Sequence, residues 1–229
     1  MSNYSFAANS SKGAHLRALI ARHYVQARIP IIIGLLAALA GLGPVLFLNR
    51  VSHVSILRLT RDIFASTGEP FYVGLLSNLG LFAWAAAAAL WLIGALMAWR
   101  SNKHNPLFIL MIASGLFTLL LLFDDAFMLH EDLLPRHLGI SEHMVELGYV
   151  VIAASYLVLS FRPMLRTPLL VGLIAGCFLA LSFAADAILP MTLNETMVED
   201  ILKFVGIVFW MIYAAVTALQ IFDEQRQST

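Results

Sequence analysis

The sequence predicts an all-α fold: a polytopic transmembrane helix bundle of six spans, with the N-terminus and the C-terminus both cytoplasmic. Three observations carry that expectation. Of the 229 residues, 60% are hydrophobic and 12% charged, where soluble domains average roughly 45 to 50% and 25%. Mean hydropathy is +0.84. Six stretches are each long enough to cross a hydrocarbon core of ~30 Å at ~1.5 Å per helical residue. Fourteen Lys and Arg balance fourteen Asp and Glu, so no net basic charge is present to neutralise a phosphate backbone, and nucleic acid is not an expected partner. Cys177 is the only cysteine, which excludes an internal disulfide framework and any Cys-based metal cluster.

Taken in order, residues 1–28 form a basic cytoplasmic segment carrying Lys12, Arg17, Arg22 and Arg28. It lacks the short apolar core and small-residue cleavage site of a secretory signal. Residues 29–222 form the transmembrane domain, with spans at Ile29–Leu48, Phe71–Trp99, Leu107–His130, Glu142–Phe161, Pro168–Leu189 and Glu199–Phe222, and residues 223–229 are a cytoplasmic tail. Polar, Pro and Gly residues punctuate the breaks, as helix ends require. Val51–Ser66 gathers Ile56, Leu57, Leu59, Ile63 and Phe64 on one arc and Arg58, Arg61 and Asp62 on the other; an interfacial helix and a solvated connector both fit. Ala14–Arg28 reads the same way. This topology places nine Lys and Arg inside and four (Arg50, Arg58, Arg61 and Arg136) outside, the bias expected for cytoplasmic ends in a cell inner or plasma membrane.

Small residues at Gly172, Gly176, Ala180 and Ala184 recur every fourth position of the fifth span. Such a stripe admits a neighbouring backbone, or a second copy of the chain through the Gly172/Gly176 face. Ala85–Ala89 can serve the second span likewise. Trp91, Trp99 and Trp210 read as packing or interface residues.

The carboxylates are distributed unevenly. Ten of fourteen lie between Asp124 and Asp200, all at the outer ends of the last four spans. Helical rise puts Asp125, Asp186, Glu146 and Lys203 in one layer, about 23 to 27 Å from the inner boundary. Each ionised group at the centre of a span costs around 2.5 to 3.5 kcal/mol on insertion scales, so these must meet one another, water or a cation. Helical phase stacks Asp124 with Glu131 and Asp125 with Asp132, and turns His130 away by about 120°. It also stacks Glu142, Glu146 and Tyr149, with His143 at their edge, and aligns Glu195, Glu199, Lys203, Gly206 and Trp210. Ser182 falls one turn from Asp186. Glu142-His-Met-Val-Glu146 and Glu195-Thr-Met-Val-Glu199 open alternate spans, each after a helix ending in Asp-Ala and a Leu-Pro. That pattern is either a tandem hairpin repeat of spans three and four with five and six, or a coincidence of biased composition.

Carboxylates with imidazoles are a ligand set for Zn, Fe or Mn, and helix bundles build such sites from inward-facing Glu and His. The expected metal set is Asp125, His130, Glu142, His143, Glu146, Asp186 and Glu199, and the expected catalytic set is Glu146, Asp125, Asp186, Glu199 and Lys203. His143-x-x-Glu146 reverses the Glu-x-x-His order of di-iron bundles, and the paired zinc motifs are absent. The leading reading is a metal-dependent membrane enzyme, of hydrolase or oxidase type, acting on a lipid or apolar small molecule at an outward-facing site. The alternatives are a proton- or cation-coupled small-molecule transporter and a non-catalytic scaffold or accessory subunit in which the charges neutralise one another. The apolar inner half of each span favours a one-sided site.

Overall fold

A computed structural model describes the backbone of residues 42–60, 67–70, 72–101, 106–188 and 193–227, with positions 32, 36 and 39. Over these residues the chain is helical, without strands. It divides into two compact units, Met1–Val73 and Gly74–Thr229.

In the first unit, Ile32, Leu36, Leu39 and residues 42–52 are helical; the rest of the first expected span, and the basic segment before it, lie outside the described residues. The Asn49 side-chain amide donates to the Val54 carbonyl at 2.8 Å where that helix stops. A short helix α1 (Ile56–Thr60) follows. Residues 53–55 interrupt the expected Val51–Ser66 helix, and His53 takes a positive φ of 53° there.

The second unit contains α2 (Leu75–Ser101), α3 (Pro106–Phe127), a π-helical turn at Leu129–Leu133, α4 (Leu134–Leu138), α5 (Glu142–Met164), α6 (Leu169–Ile188) and α7 (Leu193–Gln227). Four of these helices are long and apolar enough to cross a membrane, over Leu75–Arg100, Leu107–Phe127, Glu142–Met164 and Met197–Glu224; α6 contributes a shorter apolar stretch, Leu169–Ala185. Helices prevail because hydrocarbon offers no partner for backbone N–H and C=O groups, which must be satisfied within the segment. The third span ends at Phe127, not His130, because Met128 adopts a left-handed conformation (φ 49°, ψ 51°). Gly139, with φ 67°, ends α4 in the left-handed cap that a side chain resists. Ser141 then occupies the N-cap of α5 without a side-chain bond, its carbonyl accepting from Met144 and Val145.

Packing runs in a row: α5 against α3, α3 against α2, α2 against α7, and α7 against α6. Because lipid tails are as apolar as leucine, these contacts rest on close fit and hydrogen bonds rather than on escape from water. The core is aromatic and alanine-rich, with Trp84, Ala87, Trp91 and Ala95 of α2 facing Ile207, Trp210, Tyr213 and Ala214 of α7. Trp91 lies 5.5 Å from Trp210 and 5.2 Å from Tyr213, ring centre to ring centre. Trp99 is half exposed. The small-residue stripe of α6 splits between two faces: Gly172 is covered by the Tyr213 ring, where an added Cβ would meet Cε1 at 2.8 Å, whereas Gly176 and Ala180 are exposed. Along α5, Val150, Val151, Leu157 and Val158 are exposed.

Buried hydroxyls thread this apolar core. The indole N–H of Trp210 donates to Thr118 Oγ1 at 2.9 Å, and Ser114 Oγ bonds the Tyr156 hydroxyl at 2.9 Å. At the end of the bundle remote from Asp124, Thr167 bonds Tyr213 at 2.6 Å and Gln220 donates to the Arg166 carbonyl at 3.0 Å. Ser and Thr are accommodated there because they satisfy themselves inside helices by bonding carbonyls a turn back. Thr118 bonds Ser114 and Thr217 bonds Tyr213 in this manner.

Candidate functional site

Two consecutive aspartates near the end of α3 build the site. Successive helical residues are turned by about 100°, so Asp124 faces α5 while Asp125 faces α7. Asp125 forms an ion pair with Lys203 of α7, two of the four groups that helical rise puts in one layer. Both groups are shielded, Asp125 at 14% and Lys203 at 34% side-chain exposure.

Asp124 accepts three hydrogen bonds. The His130 backbone N–H and the Tyr149 hydroxyl reach Oδ1 at 3.0 and 2.9 Å, and His130 Nδ1–H reaches Oδ2 at 2.8 Å. This corrects the helical-phase expectation for His130. A regular helix would point the imidazole away, but the left-handed Met128 and the π-helical turn fold residue 130 back over the end of α3. The same break ends the expected stripe of Asp124 with Glu131 and Asp125 with Asp132. Asp132 instead pairs with Arg136 at 2.8 Å, and Glu131 lies 3.5 Å from His130 Nε2. Asp124 and Tyr149 belong to the site although neither was among the expected catalytic or metal residues. The sequence signal for Tyr149 was its place one turn along α5 from Glu146; for Asp124 it was the adjacent Asp125.

His130 lies beyond the end of α3 and is the group of this cluster able to titrate near neutrality. Its hydrogen bond to Asp124 holds the imidazole pKa above the ordinary value. Partial burial opposes that rise, the negative charges of Asp124 and Glu131 reinforce it, and Lys203 works against it. With Nδ1–H fixed on Asp124, Nε2 is the position left to exchange a proton with whatever approaches from the Glu131 side.

The other expected residues are placed as follows. Glu146 accepts from His143 Nδ1 at 3.3 Å within α5, and His143 is almost fully exposed. Glu142 opens α5 as an exposed first-turn acid. α7 begins at Leu193, early enough for Glu199 and Lys203 to share a face. Ser182 donates to the Glu199 carbonyl at 3.2 Å; the Asp186 and Glu195 side chains lie outside the described residues. Among the described residues, no group of three or more His, Cys, Asp or Glu side chains gathers where a metal ion would be held. A recess of about 20 Å³ adjoins the ion pair, bounded by Ser77 and Gly80 of α2, Asp125, and Asp200, Lys203 and Ile207 of α7. It has room for roughly one water molecule.

Residues 30–217 match the family model described as a domain of unknown function, DUF8692. The chain belongs to that family. No curated protein and no solved structure matches it.

Proposed function

We propose that this member of the DUF8692 family is a six-span inner- or plasma-membrane protein with cytoplasmic ends. In this reading it exchanges protons at its outer face through His130 and couples that exchange to movement of a small solute. The observation that carries the reading is the threefold hydrogen bonding of Asp124, two of whose donors belong to His130: its backbone N–H and its titratable imidazole. Asp124 is offset by His130 and Asp125 by Lys203. One proton gained or lost at His130 therefore changes the charge of a layer that is otherwise compensated, where screening is weak. The Glu-x-Met-Val-Glu openings of alternate spans suit the internal repeats of carriers. A metal centre built on this layer would have to draw Asp125 from Lys203 and His130 from Asp124, which disfavours the metal-enzyme reading on the donor arrangement.

The test uses the purified full chain in nanodiscs, following the His130 ring nitrogens by NMR from about pH 5 to about pH 9, with elemental analysis of the same sample. The expected result is a single titration above the ordinary histidine midpoint that moves down in Asp124→Asn. An imidazole that does not titrate in this range overturns the reading. So does stoichiometric Zn, Fe or Mn that is lost in Glu146→Ala/Glu199→Ala, which would establish a metal-dependent enzyme instead.

A further inference from the structure

Below the recess, the face of α2 that meets α7 continues from Ser77 and Gly80 to Trp84, one turn farther along the helix. Trp84 is 2% exposed, yet its indole Nε1–H has no hydrogen-bond partner among the described residues. An unmade bond on a buried donor costs about 1 to 3 kcal/mol. Trp91, two turns farther on, also lacks a partner for Nε1 among the described residues, but it packs against the rings of Trp210 and Tyr213, the plane of the latter turned by 77° from its own. An aromatic face can receive an N–H weakly. Trp210 is the satisfied case, donating to Thr118.

We propose that the recess beside Asp125 and Lys203 is the mouth of a hydration site reaching past Gly80, in which a water molecule accepts from Trp84 Nε1–H. Three features support it. The recess already has room for about one water and is walled by Ser77, Asp125, Asp200 and Lys203, so a water there finds several partners. Gly80 lies between Ser77 and Trp84 on this face without a side chain, and the atom its Cβ would meet, Ile207 Cδ1 at 3.4 Å, is the tip of a side chain that also borders the recess. The donor itself is buried and has no partner among the described residues. The site extends the ion-pair recess towards the middle of α2, and it stands whatever group the neighbouring His130 serves.

The experiment is hydrogen–deuterium exchange of the tryptophan indole N–H groups in the full chain, labelled with 15N-tryptophan in nanodiscs and assigned with single Trp→Phe variants. Trp84 is expected to exchange about tenfold or more faster than Trp210 and Trp91, and to show a through-space contact to water, because exchange requires solvent at the donor. Gly80→Val is expected to slow Trp84 selectively. Protection of Trp84 equal to that of Trp210 in the wild type overturns the proposal without any variant. So does unchanged Trp84 exchange in a folded Gly80→Val protein.

Discussion

Asp124 and Asp125 are neighbours in sequence with identical chemistry, and the bundle gives them different partners. Asp125 turns towards α7 and meets Lys203, a cation with no proton to release near neutrality. Asp124 turns towards α5 and meets Tyr149 and His130, a group that titrates within reach of physiological pH. One side of α3 thus carries a fixed neutralisation and the other a reversible one. A helix end is an economical place for both, since one residue of advance selects a different neighbouring helix.

Substitutions separate the two sides, beginning with the largest effect. Asp124→Ala strands the His130 N–H, the imidazole and the Tyr149 hydroxyl together. It is expected to lower unfolding free energy by about 3 to 5 kcal/mol, read as a drop in thermal midpoint in detergent, with loss of the raised His130 titration. Lys203→Met leaves Asp125 shielded and unpaired, at an expected cost of about 2 to 3 kcal/mol. Most of that is regained in Lys203→Met/Asp125→Leu, since the harm lies in the stranded charge; a double variant no better than the single one would show that the pair contributes by itself. His130 should keep its titration in both, which is where the two sides part.

Tyr149→Phe removes one of the three bonds to Asp124 and should cost about 1 kcal/mol in the same melting assay, while the pH dependence persists. That dependence has a definite sign. The folded pKa of His130 lies above its unfolded value, so the stability it supplies is complete below about pH 6.5 and is lost as pH rises through the higher folded value. Thermal midpoints measured across that interval should fall in the wild type and flatten in His130→Gln. Least affected is Arg136→Ala. It breaks an exposed ion pair with Asp132 and is expected to shift stability by no more than about 0.5 kcal/mol.

Composition and punctuation made the helical, membrane-crossing character of the chain legible, and the observed ends of α2, α5 and α6 lie within a few residues of those expected. Depth put Asp125 and Lys203 in one layer, because α3 and α7 are regular up to those positions, but sequence spacing singled out Glu199, one turn back on the same helix, as the partner of Lys203 and did not single out Asp125. Helical phase failed for His130, whose place depends on a positive φ at Met128. Methionine gives no sign of such a conformation, which glycine or asparagine would have signalled. Ser114 and Thr118 were equally silent, since isolated hydroxyls in an apolar run reveal nothing until Tyr156 and Trp210 are brought against them. The small-residue stripe predicts a neighbouring backbone against Gly172, but what approaches is the Tyr213 ring, and Gly176 and Ala180 are exposed instead.

Two cross-links join α3 to α7: Asp125 with Lys203, and Thr118 with Trp210. The spacing between them is seven residues on either helix. Sliding one helix past the other would break both links at once, and the next alignment a turn away re-forms neither. α3 and α7 are therefore expected to move together, and α5 with them at the level of Tyr156, whose hydroxyl bonds Ser114; the contact left to change without disturbing these links is that of Tyr149 with Asp124.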